Sequence, residues 1–343
     1  MERANLDWSN LEFSYVKTDY HLEYYFKDGK WSDAKIVESD RIELHMAATA
    51  LHYGQQCFEG LKAFERADGK ISVFRVDENA KRMKRSAEKI KMEPFPEDKF
   101  IEAVFKVVQL NRRFVPPFGS GASLYIRPLL LGTSGIVGVK PSKEYMFLVF
   151  VTPVGPYFKG GLKPIRLLVE EEIDRAAPLG VGDVKVGGNY AAGLRASIKA
   201  KSMGYNEVLY LDAKHKKYID ESGPANFFGI TKDHKYVTPA SSSILPSITN
   251  KSLRVLAEKQ LGMTVEERAI DVEEIFDFAE AGCCGTAAVI TPVKSIKYRD
   301  REVVYLDNED VGPTCKKLYD TLTGIQLGTI EDKYGWNFEV PMD

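Results

Sequence analysis

One lysine of the chain is set apart by its neighbours. Lys185 sits in Asp183-Val184-Lys185-Val186-Gly187-Gly188-Asn189-Tyr190, among small and apolar residues. Lys214, Lys216 and Lys217 instead lie in one charged run, which reads as solvated surface. A lysine in apolar surroundings has a lowered pKa, and its neutral amine then works as nucleophile and base. Gly187 and Gly188 let the backbone bend beside it. Such an amine can form a Schiff base with a carbonyl compound such as pyridoxal phosphate. Taken alone, the segment is equally a structural turn, and the residues downstream of it decide between the two.

A pyridoxal phosphate site also needs a partner for the pyridine nitrogen, an anion cradle and a substrate pocket. Glu221, in Tyr218-Ile219-Asp220-Glu221-Ser222-Gly223-Pro224, is the candidate partner, because a carboxylate keeps the ring nitrogen protonated. Apolar runs on both sides, Val208–Leu211 and Phe227–Ile230, favour its burial over an ordinary surface position. Two segments are candidates for the cradle. Leu245-Pro246-Ser247-Ile248-Thr249-Asn250 opens a helical pattern that stops at Gly262, and a helix N-terminus offers free N–H groups and a positive dipole end. Gly282-Cys283-Cys284-Gly285-Thr286-Ala287-Ala288 is rich in small residues that let a backbone approach an anion, with the Thr286 hydroxyl as donor. Arg75, after Val73-Phe74, can supply the fixed charge in a planar, many-donor form.

The elements that must position these residues are legible in outline. Asp77 is an N-cap candidate for a helix running to about Ile90. A second helix spans about Asp98 to Arg112, with Phe100, Val104, Val107 and Val108 on one face. Apolar strands follow over Ser123–Gly132 and Tyr145–Thr152. Pro and Gly then concentrate in Pro153 to Gly161, the linker candidate. Beyond it come a strand at Ile165–Val169, a helix at about Tyr190–Met203 and a strand at Glu207–Leu211. A helix at Asn250–Gln260 and a C-terminal helix from about Pro313 complete the series. The expected organisation is a small α+β domain over 1–153, a linker over 154–164 and a larger mixed domain over 165–343.

The bulk numbers narrow the classes. The chain has 343 residues and a formal net charge of −2, which is enough for two cores and gives no electrostatic case for nucleic acid or a membrane surface. No apolar run reaches the roughly 18–20 residues of a membrane span. The first residues carry acids and no apolar stretch of a secretory signal, so a cytoplasmic enzyme is expected. The four cysteines form neither a disulfide framework nor a metal-ligand spacing, and Cys283 and Cys284 read as small buried residues.

Taken in order, these segments resemble the branched-chain amino-acid aminotransferases of the fold-type IV (class IV) pyridoxal phosphate family. The resemblance runs from about Trp8 almost to the C-terminus. It is carried by Ala50-Leu51-His52-Tyr53-Gly54, Phe58-Glu59-Gly60-Leu61-Lys62-Ala63-Phe64, Phe74-Arg75 and Ser123-Leu124-Tyr125-Ile126-Arg127-Pro128. It continues through Pro153 to Phe158, Lys185 to Tyr190, Leu245 to Thr249 and Gly285-Thr286-Ala287. The resemblance implies a two-domain mixed α/β and α+β fold, like that of D-amino-acid aminotransferase, with the site at the domain junction and a homodimer completing each pocket. It implies a Schiff base on Lys185, which also carries the proton at the substrate α-carbon, with Glu221 on the ring nitrogen and Tyr190 on the phenolic oxygen. Arg75, the backbone of Ile248 and Thr249, Gly285 and Thr286 would hold the phosphate. Phe13, Phe58, Tyr125, Tyr157, Ala287 and Tyr53 of the partner subunit would line the substrate pocket, and Arg127 would meet the distal carboxylate of glutamate. The implied reaction moves an amino group between leucine, isoleucine or valine and 2-oxoglutarate.

Two departures from the family pattern stand out. Ala287-Ala288-Val289-Ile290-Thr291 stands where some relatives carry a Cys-x-x-Cys redox pair, and Pro224 stands where some carry a threonine near the substrate carboxylate. D-amino-acid aminotransferases and aminodeoxychorismate lyases share the fold, and the segments at Tyr125-Ile126-Arg127 and Val186 to Tyr190 favour the branched-chain member. A catalytically silent scaffold would lack the lysine. A P-loop or dinucleotide-binding fingerprint is absent from the sequence.

Overall fold

Alternating apolar residues build the first half of the chain into a sheet covered by two helices. The computed structural model describes residues 2–157, 162–307 and 310–342. The chain divides into two units. One takes Met1–Lys159, Val184–Gly187 and Ile325–Asp343, and the other takes Gly160–Asp183 and Gly188–Gly324. Lys159-Gly160-Gly161 of the expected linker, with Phe158, lie outside the described residues.

In the first unit the strands are β1 (His21–Lys27), β2 (Lys30–Trp31), β3 (Lys35–Val37), β4 (Gln56–Phe58), β5 (Leu61–Glu65), β6 (Ile71–Phe74), β7 (Ser123–Gly132) and β8 (Tyr145–Val154). The described residues form a nine-stranded sheet. Its order is Asn337–Glu339, β6, β5, β7, β8, β1, β2, with β3 on β1 and β4 on β7. Every pairing in it is antiparallel. Helix α1 is a single turn (Thr49–His52). Helices α2 (Val76–Lys89) and α3 (Glu97–Leu110) pack Val76, Ala80, Met83, Phe100, Val104 and Val107 onto Leu61, Ala63, Leu124 and Ile126 of the sheet. Because strand side chains alternate, Lys62, Tyr125 and Arg127 must lie on the opposite face.

Pro128 shapes this sheet. Its carbonyl accepts from Glu59 N (2.9 Å), so its missing N–H faces the same neighbour. The ladder cannot continue there. β4 therefore ends at Phe58, opposite Leu129, and β5 starts again at Leu61, opposite Ile126.

The second unit holds β9 (Ile165–Glu170), β10 (Glu207–Leu211), β11 (Ile219–Ser222), β12 (Ala225–Thr231), β13 (Lys235–Pro239), β14 (Thr264–Arg268), β15 (Phe278–Gly285), β16 (Val289–Tyr298) and β17 (Arg301–Val304). Its sheet order is β11-β10-β9-β16-β15-β12-β13-β14, with β17 on β16, and it mixes directions. β9 runs parallel to β10 and β16, and β13 runs parallel to β14. The helices are α4 (Gly187–Ser202), α5 (Ile248–Leu261) and α6 (Pro313–Leu327).

The expected strands at Ser123–Gly132 and Glu207–Leu211 are observed with those limits, and Gly262 ends α5 in the left-handed conformation (φ 64°). Asp77 is not the cap of α2. Arg75 holds that position with φ 49°, and Asp77 lies in the first turn, where its charge suits the dipole. The helix expected over Asp98–Arg112 instead ends at Leu110 and gives way to a 3-10 turn at Arg112–Phe114.

Candidate active site

Lys185 belongs to the first unit and is held there by its own backbone. Its N–H donates to Ser86 Oγ of α2 (3.1 Å), and its carbonyl accepts from Phe58 N (3.1 Å). Val186 bridges Cys57 of β4. A Cβ added at Gly187 would stand 1.9 Å from Gln56 Nε2, so a larger residue there would push the Gln56 side chain aside. The amine lies 4.9 Å from the centre of the Phe58 ring.

From Lys185 a continuous series of side chains runs within this unit. The guanidinium carbon of Arg127 is 4.9 Å from the Phe58 ring and 5.2 Å from the Tyr125 ring, and its Nη2 donates to Tyr125 Oη (3.0 Å). Phe13 packs edge-on to Tyr125 (5.4 Å) and to Tyr157 (5.5 Å). The Nε of Arg127 is buried and has no protein acceptor. A buried donor without a partner is costly, and here it fits a carboxylate supplied by a ligand. The Tyr125 phenol lies over Gly60, where a Cβ would meet its oxygen at 2.1 Å. Phe13, Phe58, Tyr125, Arg127, Tyr157 and Lys185 are thus brought together. Tyr53 is not among them. It is 39% exposed, stacks on His52 and donates its phenol to the Val137 carbonyl.

Arg75 also lies in the first unit, in a left-handed conformation that non-glycine residues rarely adopt. Trp336 fixes it there, by accepting from Arg75 N (2.7 Å) and by placing its ring 5.2 Å from the guanidinium. Burial lowers the Arg75 pKa, with Glu78 and Asp77 opposing the shift.

In the second unit Glu221 is 2% exposed on β11. Its Oε1 accepts from Leu245 N (2.8 Å) and Asn226 Nδ2 (2.9 Å), and its Oε2 pairs with Arg175. Donors on both oxygens favour the carboxylate form, the form that accepts from a protonated ring nitrogen. Asn226 also donates to the Leu245 carbonyl (3.0 Å), and its Oδ1 accepts from Asn250 (3.2 Å) in the first turn of α5. One buried network therefore fixes Glu221 relative to the N-terminus of α5. Ser247 caps that helix by accepting from Asn250 N (3.1 Å). The N–H groups of Ile248 and Thr249 lie in the first turn, where no carbonyl of the helix faces them. A cavity of ≈ 220 Å³ in this unit is lined by Tyr190, Glu221, Arg175, Pro224, Glu207 and Tyr210, among others. Asp220, beside Glu221, is pushed up by burial, against a hydrogen bond from Ser243 (2.7 Å).

The small-residue segment divides between packing and the expected cradle. A Cβ at Gly282 would meet Phe228 at 2.4 Å, which is packing, whereas Gly285 faces open space. Cys283 and Cys284 are free and buried, and burial pushes the Cys283 thiol up to about 12. The turn that carries Thr286 and Ala287 closes at Val289, whose φ of 64° is strained for a β-branched residue. Among the described residues no group of three His, Cys, Asp or Glu side chains is placed to hold a metal ion.

Several residues of this architecture escape the sequence. Nothing in the surroundings of Arg175 marks it as the partner of Glu221. Glu59 does carry a signal, since a carboxylate inside the apolar run Cys57-Phe58-Glu59-Gly60-Leu61 needs a buried partner. That partner is Arg82, with two hydrogen bonds of 2.7 Å.

Residues 56–296 match the Amino-transferase class IV family. The chain is 49% identical over 341 residues to a branched-chain-amino-acid aminotransferase of Haemophilus influenzae, covering 98% of this chain and 99% of the relative. The crystal structure of the Escherichia coli branched-chain amino acid aminotransferase superposes with a TM-score of 0.80 at 30% identity, over 95% of this chain and 100% of that one. The branched-chain aminotransferase of the thermophilic archaeon Thermoproteus uzoniensis with norvaline superposes with a TM-score of 0.78 at 25% identity, over 94% and 100%.

Proposed function

The chain belongs to the class IV aminotransferase family, and from that premise we propose that it is a branched-chain amino-acid transaminase. It moves an amino group reversibly between L-leucine, L-isoleucine or L-valine and 2-oxoglutarate, with pyridoxal 5′-phosphate as cofactor. The observation that carries this reading is the series Tyr157, Phe13, Tyr125, Arg127, Phe58 and Lys185. It joins aromatic walls for a branched side chain, a cation with an unused donor for a carboxylate, and an amine.

The cofactor, when bound, supplies an electron sink for the carbanion at the substrate α-carbon. The chain's residues do the rest. Lys185 Nζ would hold the cofactor and would move the proton at the substrate α-carbon. Glu221 would accept from the ring N–H and favour its protonated form. Tyr190 donates to the phenolic oxygen. Arg75 in the first unit is a candidate for the phosphate, and so in the second unit are Gly285, Thr286 and the N–H groups of Ile248 and Thr249, which would add the positive end of the α5 dipole. Phe13, Phe58, Tyr125, Tyr157 and Ala287 wall the side-chain pocket and exclude water from it. Arg127 binds the distal carboxylate of the second substrate. The reading includes a homodimer in which Tyr53 of the partner subunit closes the pocket, and a cytoplasmic location. Among the described residues no helix is long and apolar enough to cross a membrane.

The test is an absorbance spectrum of the purified protein loaded with pyridoxal phosphate. The yellow band should bleach with L-leucine alone and return with 2-oxoglutarate. A band indifferent to L-leucine but bleached by D-alanine would overturn the substrate assignment.

A further inference from the structure

Helix α2 carries a buried polar stripe that the proposed reaction does not use. Asn79, Arg82 and Ser86 are 2%, 8% and 0% exposed. Their spacing of three and four residues places them on one face of the helix. Apolar residues fill the neighbouring positions Ala80, Met83 and Ala87, so the polar residues stand where packing alone would favour apolar ones.

Two members grip Glu59, and the third reaches Lys185. Arg82 binds both oxygens of Glu59, Nε to Oε1 and Nη2 to Oε2, each at 2.7 Å. Asn79 Nδ2 donates to Glu59 Oε2 (2.8 Å) and to the Gly60 carbonyl (3.4 Å). Gly60 N donates to Glu59 Oε2 as well (3.3 Å). These bonds hold the break that Pro128 makes between β4 and β5, and so hold Phe58 and the glycine beneath the Tyr125 phenol. One turn further on, Ser86 Oγ accepts from Lys185 N (3.1 Å). Phe58 N closes the loop by donating to the Lys185 carbonyl (3.1 Å).

We propose that Ser86 is a positioning residue for Lys185, and that the Asn79–Arg82–Ser86 stripe of α2 sets the amine of Lys185 against the Phe58 ring. This rests on the assignment of Lys185 as the cofactor-binding lysine. The physical argument concerns reach. A lysine stem is long, so the point and direction from which it leaves the backbone decide where its amine can reach. Ser86 and Phe58 take both backbone polar groups of Lys185, so the stem starts from a fixed point and direction. Ser86 acts through the lysine and does not touch the substrate.

The test compares wild type with Ser86→Ala and Ser86→Thr. Apoenzyme is mixed with pyridoxal phosphate, and capture by Lys185 is read as growth of the yellow band. Borohydride trapping and peptide mass spectrometry then check the site. The expected result is capture about tenfold slower in Ser86→Ala, the factor expected for one lost backbone hydrogen bond. kcat should fall by a similar factor while KM for L-leucine changes little, and Ser86→Thr, which keeps the oxygen, should recover most of both. Wild-type capture rate and kcat in Ser86→Ala would overturn the proposal. If Ser86→Ala does not fold, hydrogen exchange on the wild-type holoenzyme decides the matter. The Lys185 amide should be protected as strongly as those of α2, and exchange at loop rates would overturn the proposal. Wild-type protein trapped at another lysine would overturn the assignment of Lys185, which is a different failure from an unaffected Ser86→Ala.

Discussion

Replacing Arg127 by methionine should separate the two halves of the reaction. The guanidinium does three things in the structure. It donates to Tyr125 Oη, it lies over the rings of Phe58 and Tyr125, and it presents a buried Nε with no protein acceptor. Only the last offers a bond to a substrate carboxylate. A hydrogen bond to a charged group contributes about 1.5–3 kcal/mol, which is roughly 10- to 150-fold in rate. The contacts with the two rings are of order 0.5–1 kcal/mol, and the methionine stem replaces part of them. L-leucine has no distal carboxylate, so its half-reaction loses only that smaller share, less than about fivefold. The assay is single-turnover stopped flow on each half separately. Leucine converts the cofactor to its amine form, and 2-oxoglutarate restores it. Arg127→Met should slow the second step at least about tenfold more than the first. Equal losses in both halves would show that Arg127 supports the walls and does not read the carboxylate.

Three other perturbations have outcomes set by the same geometry. Glu59→Gln leaves the Arg82 charge buried without its partner and should destabilise the protein by about 3–5 kcal/mol in urea titrations, whereas the apolar pair Glu59→Leu with Arg82→Met should recover most of that loss. Ser247→Ala removes the cap of α5 and should cost about 1 kcal/mol of stability, together with weaker phosphate binding in a titration of apoenzyme with pyridoxal phosphate. Burial pushes the Lys62 amine down to about 8 from an unfolded value of 10.5. Between those values the unfolded chain binds the proton and the folded chain does not, so stability should rise with pH by about 1.4 kcal/mol per unit. That rise should be missing from Lys62→Met when urea midpoints are compared across the same window.

The sequence is most informative where a residue's type is itself unusual in its setting. Lys185 among apolar neighbours, Glu221 between apolar strands and Ser247-Ile248-Thr249 before a helical run can each be picked out without coordinates. The strands Ser123–Gly132 and Glu207–Leu211 are equally plain, because each is a short apolar run of strand length. Pairing over long separations is what local sequence does not reveal. Arg175 and Glu221 are 46 positions apart, and nothing local joins them. Ser86 and Lys185 are 99 positions apart and meet only because the Val184–Gly187 segment returns to the first unit. Asp77 has sound local grounds as the cap of α2. It loses to Arg75 because Trp336 holds that arginine in a left-handed conformation that no propensity argument would choose.

The left-handed Arg75 also bears on function. Two of the phosphate candidates sit at or beside strained backbone, Arg75 with φ 49° and the Thr286 turn, which ends at Val289 with φ 64°. Such conformations cost of order 1–3 kcal/mol each and persist only where the surroundings impose them. Arg75 is fixed by Trp336, and Val289 by its pairing with Gly285 across the β15–β16 turn. In the proposed reading each conformation would orient a phosphate donor. Strain relieved by substitution should therefore appear as gained stability together with lost cofactor affinity. Val289→Gly is the clean case, since glycine tolerates positive φ and Val289 donates no side-chain bond. Its unfolding midpoint should hold or rise despite the buried side chain it gives up, while pyridoxal phosphate binds more weakly. If affinity is unchanged while stability falls by the full value of a buried valine, about 1.5–3 kcal/mol, the strain at Val289 has no part in holding the phosphate.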